Sequence, residues 1–75
     1  MAITNYNLFI EIHPEVRFGK PVIIGTRITV YDILGWLANG QDFSEILADF
    51  PQLKKEHIQA CLAYAADKER RLKIA

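Results

Sequence analysis

The sequence predicts a mainly helical domain, a three-helix helix-turn-helix unit that follows a short N-terminal β-hairpin. First, a capped apolar stripe over residues 43–50 stops at Pro51, and a second apolar stripe begins about four residues later, which is typical of two helices joined by a tight turn. Second, an amphipathic stretch that begins after Thr29 and ends at Gly40 predicts a preceding helix. We expect helices at 30–39, 43–50 and 55–72.

Residues 1–28 are expected to form strands and a loop before the helical unit of residues 29–75. Residues 8–12 alternate in hydropathy and predict a strand with Leu8, Ile10 and Ile12 on one face. Turn chemistry at Pro14 would return the chain as a second strand over residues 16–18. Because two strands alone are marginal in water, the hairpin should pair with its copy in a second chain or lie across the helices.

Arg27 follows a short apolar segment, Val22-Ile23-Ile24, that lies between two glycines. Its planar guanidinium could bind a phosphate or a carboxylate such as Asp32 or Asp49. Acidic groups outnumber cations in this half of the chain, so pairing with a carboxylate is favoured. The glycine spacing does not match a phosphate-binding loop.

Capping signals define the first two helices. Thr29 and Asp32 can cap each other at the start of the first helix, and Asp42 and Glu45 at the start of the second. Gly35 inside the first helix costs about 1 kcal/mol relative to alanine, which predicts close packing there. The apolar positions expected to face the core are Val30, Ile33, Leu34 and Leu37 in the first helix and Phe43, Ile46, Leu47 and Phe50 in the second.

The third helix lacks a good N-cap, because Lys54 precedes it. Its core stripe is predicted to include Ile58, Cys61, Leu62 and Ala65. Residues 60–66 are apolar on nearly every side, which indicates burial on two faces, one of them against another chain.

Length and composition indicate one domain, residues 1–75, with a marginal core. Self-association as a homodimer or larger assembly is therefore expected.

The chain has one cysteine, so it has no internal disulfide. We expect a soluble cytoplasmic protein, because neither a signal peptide nor a membrane-length apolar run is visible. Residues 1–50 carry three basic and six acidic side chains, a charge of −3, and residues 51–75 carry the reverse, +3.

Catalytic signals are weak. Ser44 lies at a helix start, where a structural hydroxyl is ordinary. His57 and Cys61 lie four residues apart on a helix, but two ligands do not make a zinc site, and Cys61 is better explained as a core residue. We expect no catalytic residues, no metal, no cofactor and no enzymatic activity.

Nucleic-acid binding is better supported, because the second helix of a helix-turn-helix presents its first residues to the major groove. The candidate contacts are Lys54, Lys55, His57 and Gln59, with Arg27 as a further candidate, although a solvated helix start accounts for these residue types equally well. The candidate protein-contact residues are Trp36, Tyr64, Leu72 and Ile74. Trp36 lies at the edge of the apolar stripe of the first helix, and a tryptophan at the edge of such a stripe is more often a core residue than a binding hot spot, although a small domain seldom covers a whole indole.

From Ile10 to Ala66 the sequence resembles a bacterial and archaeal family once catalogued as domain of unknown function four-three-three and now regarded as VapB-like antitoxins. The segments that carry the likeness are Gly19-Lys20-Pro21-Val22-Ile23, Gly25-Thr26-Arg27-Ile28, Leu37-Ala38-Asn39-Gly40, Glu45-Ile46-Leu47, Phe50-Pro51-Gln52-Leu53 and residues 58–65. The sequence departs from the family at His13, where Asp is common, and at Lys54, where Thr or Ser is common.

The resemblance implies a homeodomain-like trihelical fold and a role as antitoxin of a type II toxin–antitoxin pair. The implied partners are a PIN-type toxin ribonuclease and operator DNA in the antitoxin's own promoter. The alternatives are a stand-alone helix-turn-helix regulator and a structural protein-interaction module.

Overall fold

The structure, a computed structural model, describes residues 5–74 and the side chains of residues 5–70. A 3-10 turn at Tyr6–Leu8 leads into strand β1 (Ile10–Glu11), and a tight turn at Arg17–Gly19 precedes strand β2 (Val22–Ile23). Three helices follow: α1 (Val30–Ala38), α2 (Phe43–Asp49) and α3 (Lys55–Ile74). The prediction of a mainly helical chain with a short N-terminal antiparallel pair is confirmed, and the predicted helix ends agree within two residues.

The predicted position of the second strand is wrong. The backbone at Arg17, Phe18 and Gly19 has φ of 49°, 61° and 79°, a left-handed conformation that cannot continue a strand. Strand β1 pairs instead with β2, and Ile10 lies opposite Ile23. The predicted common face is also wrong, because Ile10 is buried while Leu8 and Ile12, outside the two-residue strand, are exposed.

Strand β2 is bonded along both edges. On the edge away from β1, the Ile23 N–H donates to the Ile28 carbonyl and the Val30 N–H donates to the Pro21 carbonyl. The segment that enters α1 therefore runs antiparallel to β2, with Thr29 opposite Val22. These bonds attach the start of α1 directly to the small sheet.

The predicted capping boxes at the starts of α1 and α2 are both present. The Asp32 N–H donates to Thr29 Oγ1 at 2.8 Å, and the Thr29 N–H donates back to the Asp32 carboxylate at 3.1 Å. Asp42 and Glu45 exchange the same pair of bonds at 2.9 Å each. After α1 the chain turns at Gly40, whose φ of 98° is a conformation that glycine adopts without a Cβ clash.

The prediction of close packing at Gly35 is wrong. A Cβ added there would meet no heavy atom of the described residues within 4 Å, outside its own helix backbone and its chain neighbours. The glycine therefore makes room for no neighbouring group among the described residues.

The core combines both strands with all three helices. Ile33, Ile46 and Ile58, one from each helix, are fully buried, and each contributes about 1.5–3 kcal/mol through burial. The strands thus lie across the helices, which is one of the two arrangements that the sequence predicts. The buried cluster comprises Ile10, Ile23, Val30, Ile33, Ile46, Leu53, Ile58, Ala60 and Cys61.

Helix α3 buries only part of its predicted stripe. Ile58 and Cys61 are fully buried, whereas Leu62 is 43% exposed. Ala66, one turn further on, is also exposed, so an apolar face of α3 faces solvent. Over the described residues, no helix is long and apolar enough to cross a membrane.

Candidate nucleic-acid and partner surfaces

Helix α3 begins with a capping interaction that the sequence does not predict. The Lys54 N–H donates to Nδ1 of His57 at 2.8 Å, so the imidazole replaces the carboxylate that usually completes a capping box. Because Nδ1 accepts this bond, the proton of the neutral ring lies on Nε2. The edge-to-face contact between the His57 and Phe9 rings, with centroids 5.5 Å apart, fixes the ring against the segment that enters β1.

Burial lowers the pKa of His57, the charge of Lys54 lowers it further, and the charge of Glu56 partly opposes both. The imidazole is therefore neutral at pH 7. Lys54 and Lys55 are exposed, and no described residue forms an ion pair with either of them. Three of the predicted contacts thus lie at the solvent-facing start of α3: Lys54, Lys55 and the exposed Gln59. The fourth, His57, accepts the hydrogen bond that caps the helix.

The expected pairing of Arg27 with Asp32 is not what the structure contains. Arg17 Nη1 lies 3.2 Å from Asp32 Oδ2 and donates to the Arg27 carbonyl at 2.8 Å. Burial raises the pKa of Asp32, but hydrogen bonds with Thr29 and the adjacent Arg17 outweigh it and leave the pKa below its usual range. Arg27 itself is exposed, and within residues 5–70 its guanidinium joins no ion pair, with Asp49 or any other carboxylate.

Trp36, a predicted partner contact, packs within the chain. Its ring is stacked on Phe50, with centroids 4.6 Å apart and an interplanar angle of 10°. The indole is only partly buried and joins α1 to the connector after α2.

Tyr64, the second predicted partner contact, is partly buried beneath the N-terminal segment. The Tyr6 and Tyr64 rings pack edge-to-face with centroids 5.3 Å apart, and the Lys68 ammonium lies 5.2 Å from the centroid of the Tyr64 ring. The Tyr6 hydroxyl also donates to Asp67 Oδ2 at 2.5 Å, which attaches the first 3-10 turn to α3. The side chains of Leu72 and Ile74, the other two predicted contacts, lie outside the described residues.

Sequence reasoning missed two exposed aromatic side chains. Phe18 is 96% exposed and Tyr31 is 75% exposed, although Phe18 was expected inside a strand. The available signal is the position of Phe18 between Arg17 and Gly19, outside any apolar periodicity.

The buried thiol of Cys61 is unsuited to catalysis. Burial raises its pKa to about 12, so the thiol is protonated and weakly nucleophilic at neutral pH. Across the described part of the chain, no three His, Cys, Asp or Glu side chains are grouped so as to hold a metal ion.

Comparisons with known proteins place the chain in a family. Residues 10–65 match the model of the family described as "Protein of unknown function (DUF433)". An uncharacterized protein y4eO from Sinorhizobium fredii is 36% identical over 52 residues, which cover 69% of this chain and 24% of that protein. The crystal structure of a DUF433 member from Anabaena variabilis is similar with a TM-score of 0.77 and 30% identity, and the match covers 85% of this chain and 63% of that one.

The chain therefore spans about a quarter of the matched curated relative and less than two thirds of the matched crystal structure. The family match nevertheless covers most of the sequence and includes both strands, helices α1 and α2 and the first half of α3. By this match the chain is a member of the DUF433 family of proteins of unknown function.

Proposed function

We propose that this protein is an antitoxin that neutralises a PIN-type ribonuclease and binds its own promoter DNA through a homeodomain-like helix-turn-helix formed by α2 and α3. The observation that supports it is the start of α3, where Lys54, Lys55 and Gln59 are exposed directly after the short connector from α2. The first residues of the second helix are those that such a motif presents to the major groove.

The chemistry of this helix start suits a phosphate backbone. The free N–H groups and dipole of a helix N-terminus attract anions, and two exposed ammonium groups add to that attraction. His57 orients the start of α3, because its Nδ1 accepts the hydrogen bond from the Lys54 amide.

A homodimer is part of the proposal. The formal net charge of the chain is zero, so one copy would release few counterions from DNA and bind weakly. Two copies would present two α3 starts to successive half-sites.

Apolar surface on α3 would contact the toxin. Leu62 is half-exposed on a helix whose other face is in the core, and the partly exposed Tyr64 lies on the same helix. We propose that this surface, with Trp36 and with Leu72 and Ile74 in the last turns of α3, covers the ribonuclease. Large apolar and aromatic side chains supply most of the energy of such interfaces.

The DNA-binding part is tested with the double variant Lys54→Ala/Lys55→Ala and DNA from the gene's own promoter. We expect weaker binding to all sequences and a slope of log affinity against log salt that is smaller by about 1–2, because two phosphate contacts are lost. Lys68→Ala is the matched control, since it removes one exposed charge from the same helix away from its start. An electrophoretic shift that is the same for the double variant and the native protein would remove the DNA-binding assignment.

The toxin-binding part is tested by co-expression with the gene adjacent to this one, which we expect to encode the nuclease. We expect the nuclease to co-purify with the native protein and to be lost with Leu62→Asp, while Ile12→Asp, an exposed apolar position away from α3, retains it. DNA binding without a co-purifying nuclease would indicate a stand-alone regulator. If the native protein neither binds promoter DNA nor co-purifies a nuclease, the result would indicate a structural interaction module.

A further inference from the structure

The turn between the two strands holds an aromatic ring in solvent. Arg17, Phe18 and Gly19 are three consecutive residues with φ between 49° and 79°, and two of them carry a Cβ that disfavours this conformation. The Phe18 side chain is 96% exposed, so burial of its ring does not offset the backbone strain. Strained residues that persist without a packing benefit are typical of functional positions.

The conformation of this turn is fixed by groups around Phe18. The Gly19 N–H donates to the Val16 carbonyl and the Lys20 N–H donates to the Arg17 carbonyl. The Arg17 guanidinium bonds both the Arg27 carbonyl and the Asp32 carboxylate, and thereby ties the turn to the loop before α1 and to α1 itself. These hydrogen bonds and the Arg17 contacts thus hold the backbone that exposes the Phe18 ring.

Three basic residues lie in this turn, directly after it or bonded to it through the backbone. Arg17, Lys20 and Arg27 are the only basic side chains among the first 50 residues, which carry a net charge of −3. The contacts of Arg17 bring the backbone of Arg27 to the turn, and the Lys20 ammonium lies 5.8 Å from the centroid of the exposed Tyr31 ring. We name this group of five residues, Arg17, Phe18, Lys20, Arg27 and Tyr31, the Phe18 face.

We propose that the Phe18 face binds single-stranded nucleic acid. An exposed aromatic ring offers a stacking surface to any unpaired base, and cations beside it bind the phosphates, which is how sequence-tolerant single-strand sites are built. Lys20 and Arg27 are exposed and are in no ion pair among the described side chains, so both are available to phosphate. Phe18 stacks on a base, and Arg17 holds the turn through Asp32.

The charge of the face disfavours a second copy as the occupant. A symmetric contact through this face would bring the exposed cations of one copy, Lys20 and Arg27, toward those of the other, and like charges at an interface cost binding energy. The Phe18 face also shares no residue with the start of α3, so the two surfaces can be altered separately.

The test is fluorescence anisotropy of the full chain with a labelled oligothymidylate of about twelve nucleotides, a length within the usual range of single-strand sites. We expect Phe18→Ala to bind about tenfold more weakly, because the stacking contact is lost. Leu8→Ala is the matched control, since Leu8 is a 68% exposed apolar side chain of the N-terminal segment, and it should bind like the native protein. Lys20→Gln/Arg27→Gln should flatten the salt dependence.

A second variant, Phe18→Gly, keeps the test independent of folding, because glycine adopts the left-handed conformation without strain. It should lose the same tenfold affinity while its circular dichroism stays native. Equal affinity of the native protein, Phe18→Ala and Phe18→Gly, or no binding by the native protein at about 50 mM salt, would overturn the proposal.

Two further measurements distinguish this site from a dimer interface and from the start of α3. If Phe18→Ala changes the sedimentation of the protein and leaves oligonucleotide binding intact, the face is an interface between copies and the proposal fails. Lys54→Ala/Lys55→Ala should weaken duplex binding more than oligothymidylate binding, and Phe18→Ala should do the reverse, so failure here and failure of the proposed promoter binding are distinguishable.

Discussion

The amide N–H of Lys54 donates to Nδ1 of His57 at 2.8 Å, so α3 starts on an imidazole where α2 starts on a glutamate. A carboxylate accepts such a bond over most of the pH range, whereas an imidazole accepts it only while neutral. The start of α3, the proposed DNA contact, therefore depends on the protonation state of one side chain.

Acidification should destabilise the protein through His57. Its pKa is lowered in the fold by burial and by Lys54, so the unfolded chain binds the proton first. The stabilisation is complete above the unfolded value of about 6.5 and is lost as pH falls toward the folded pKa. Urea unfolding at pH 7.5 and pH 5 should give a lower unfolding free energy at pH 5. His57→Gln, which keeps a neutral acceptor, should reduce that difference, and an unchanged difference would assign it to other groups.

Removing the Arg17 side chain should loosen the turn that carries Phe18. Arg17→Gln loses the ion pair with Asp32 and the bond to the Arg27 carbonyl, and we expect a loss of roughly 1 kcal/mol in unfolding free energy. Arg27→Gln is the charge-matched control, because its side chain is exposed, and it should stay within about 0.5 kcal/mol of the native value. Equal stability of both variants would show that the Arg17 contacts do not brace the turn.

Gly35→Ala should stabilise the protein. The new methyl group meets no heavy atom of a neighbouring element within 4 Å in the part of the chain that the structure describes, and alanine restricts the unfolded chain, so the unfolding free energy should rise by about 0.5–1 kcal/mol. Gly40→Ala is the opposite case, because φ is 98° there and a Cβ is strained. Thermal unfolding should give a higher Tm for the first variant and a lower Tm for the second. A lower Tm for Gly35→Ala would mean that another chain packs against α1.

Phe18→Gly should also raise stability, by about 0.5–1 kcal/mol, since it relieves left-handed strain and removes a side chain that buries almost nothing. Phe18→Ala keeps a Cβ at the same φ and should not show the gain. Chemical unfolding of the two variants measures the difference. A change that stabilises the protein and weakens oligonucleotide binding about tenfold would support a binding role for the native residue.

The helices could be predicted because their signals are local. Thr29 and Asp32, and likewise Asp42 and Glu45, lie three residues apart and form the two boxes that their residue types predict. Gly40 ends α1 for an equally local reason, its positive φ.

The position of the second strand could not be predicted, because the register of the pair depends on distant contacts. A non-glycine residue such as Phe18 in the left-handed region has no compositional signature, and the bonds from Arg17 to residues 10 and 15 positions away are invisible to periodicity. The sequence therefore predicted a strand where the chain turns.

The candidate surfaces were partly predictable. Lys54, Lys55 and Gln59 lie together at an exposed helix start, as expected from their spacing, and whether they touch DNA stays a prediction. The capping role of His57 was missed because imidazole is an unusual acceptor at that position. The stacking of Trp36 on Phe50 depends on the packing of α1 against the connector, which sequence spacing alone does not reveal.

The bond from the Tyr6 hydroxyl to Asp67 spans 61 positions, so it can form only after nearly the whole polypeptide has been gathered. Closing so long a loop costs more chain entropy than forming any helical turn, and contacts of this range are slow to form. The contact between the Tyr6–Leu8 turn and α3 should thus be among the last to form and the first to open in native-state hydrogen exchange. Its opening would transiently uncover Tyr64 while the core around Ile33, Ile46 and Ile58 stays closed.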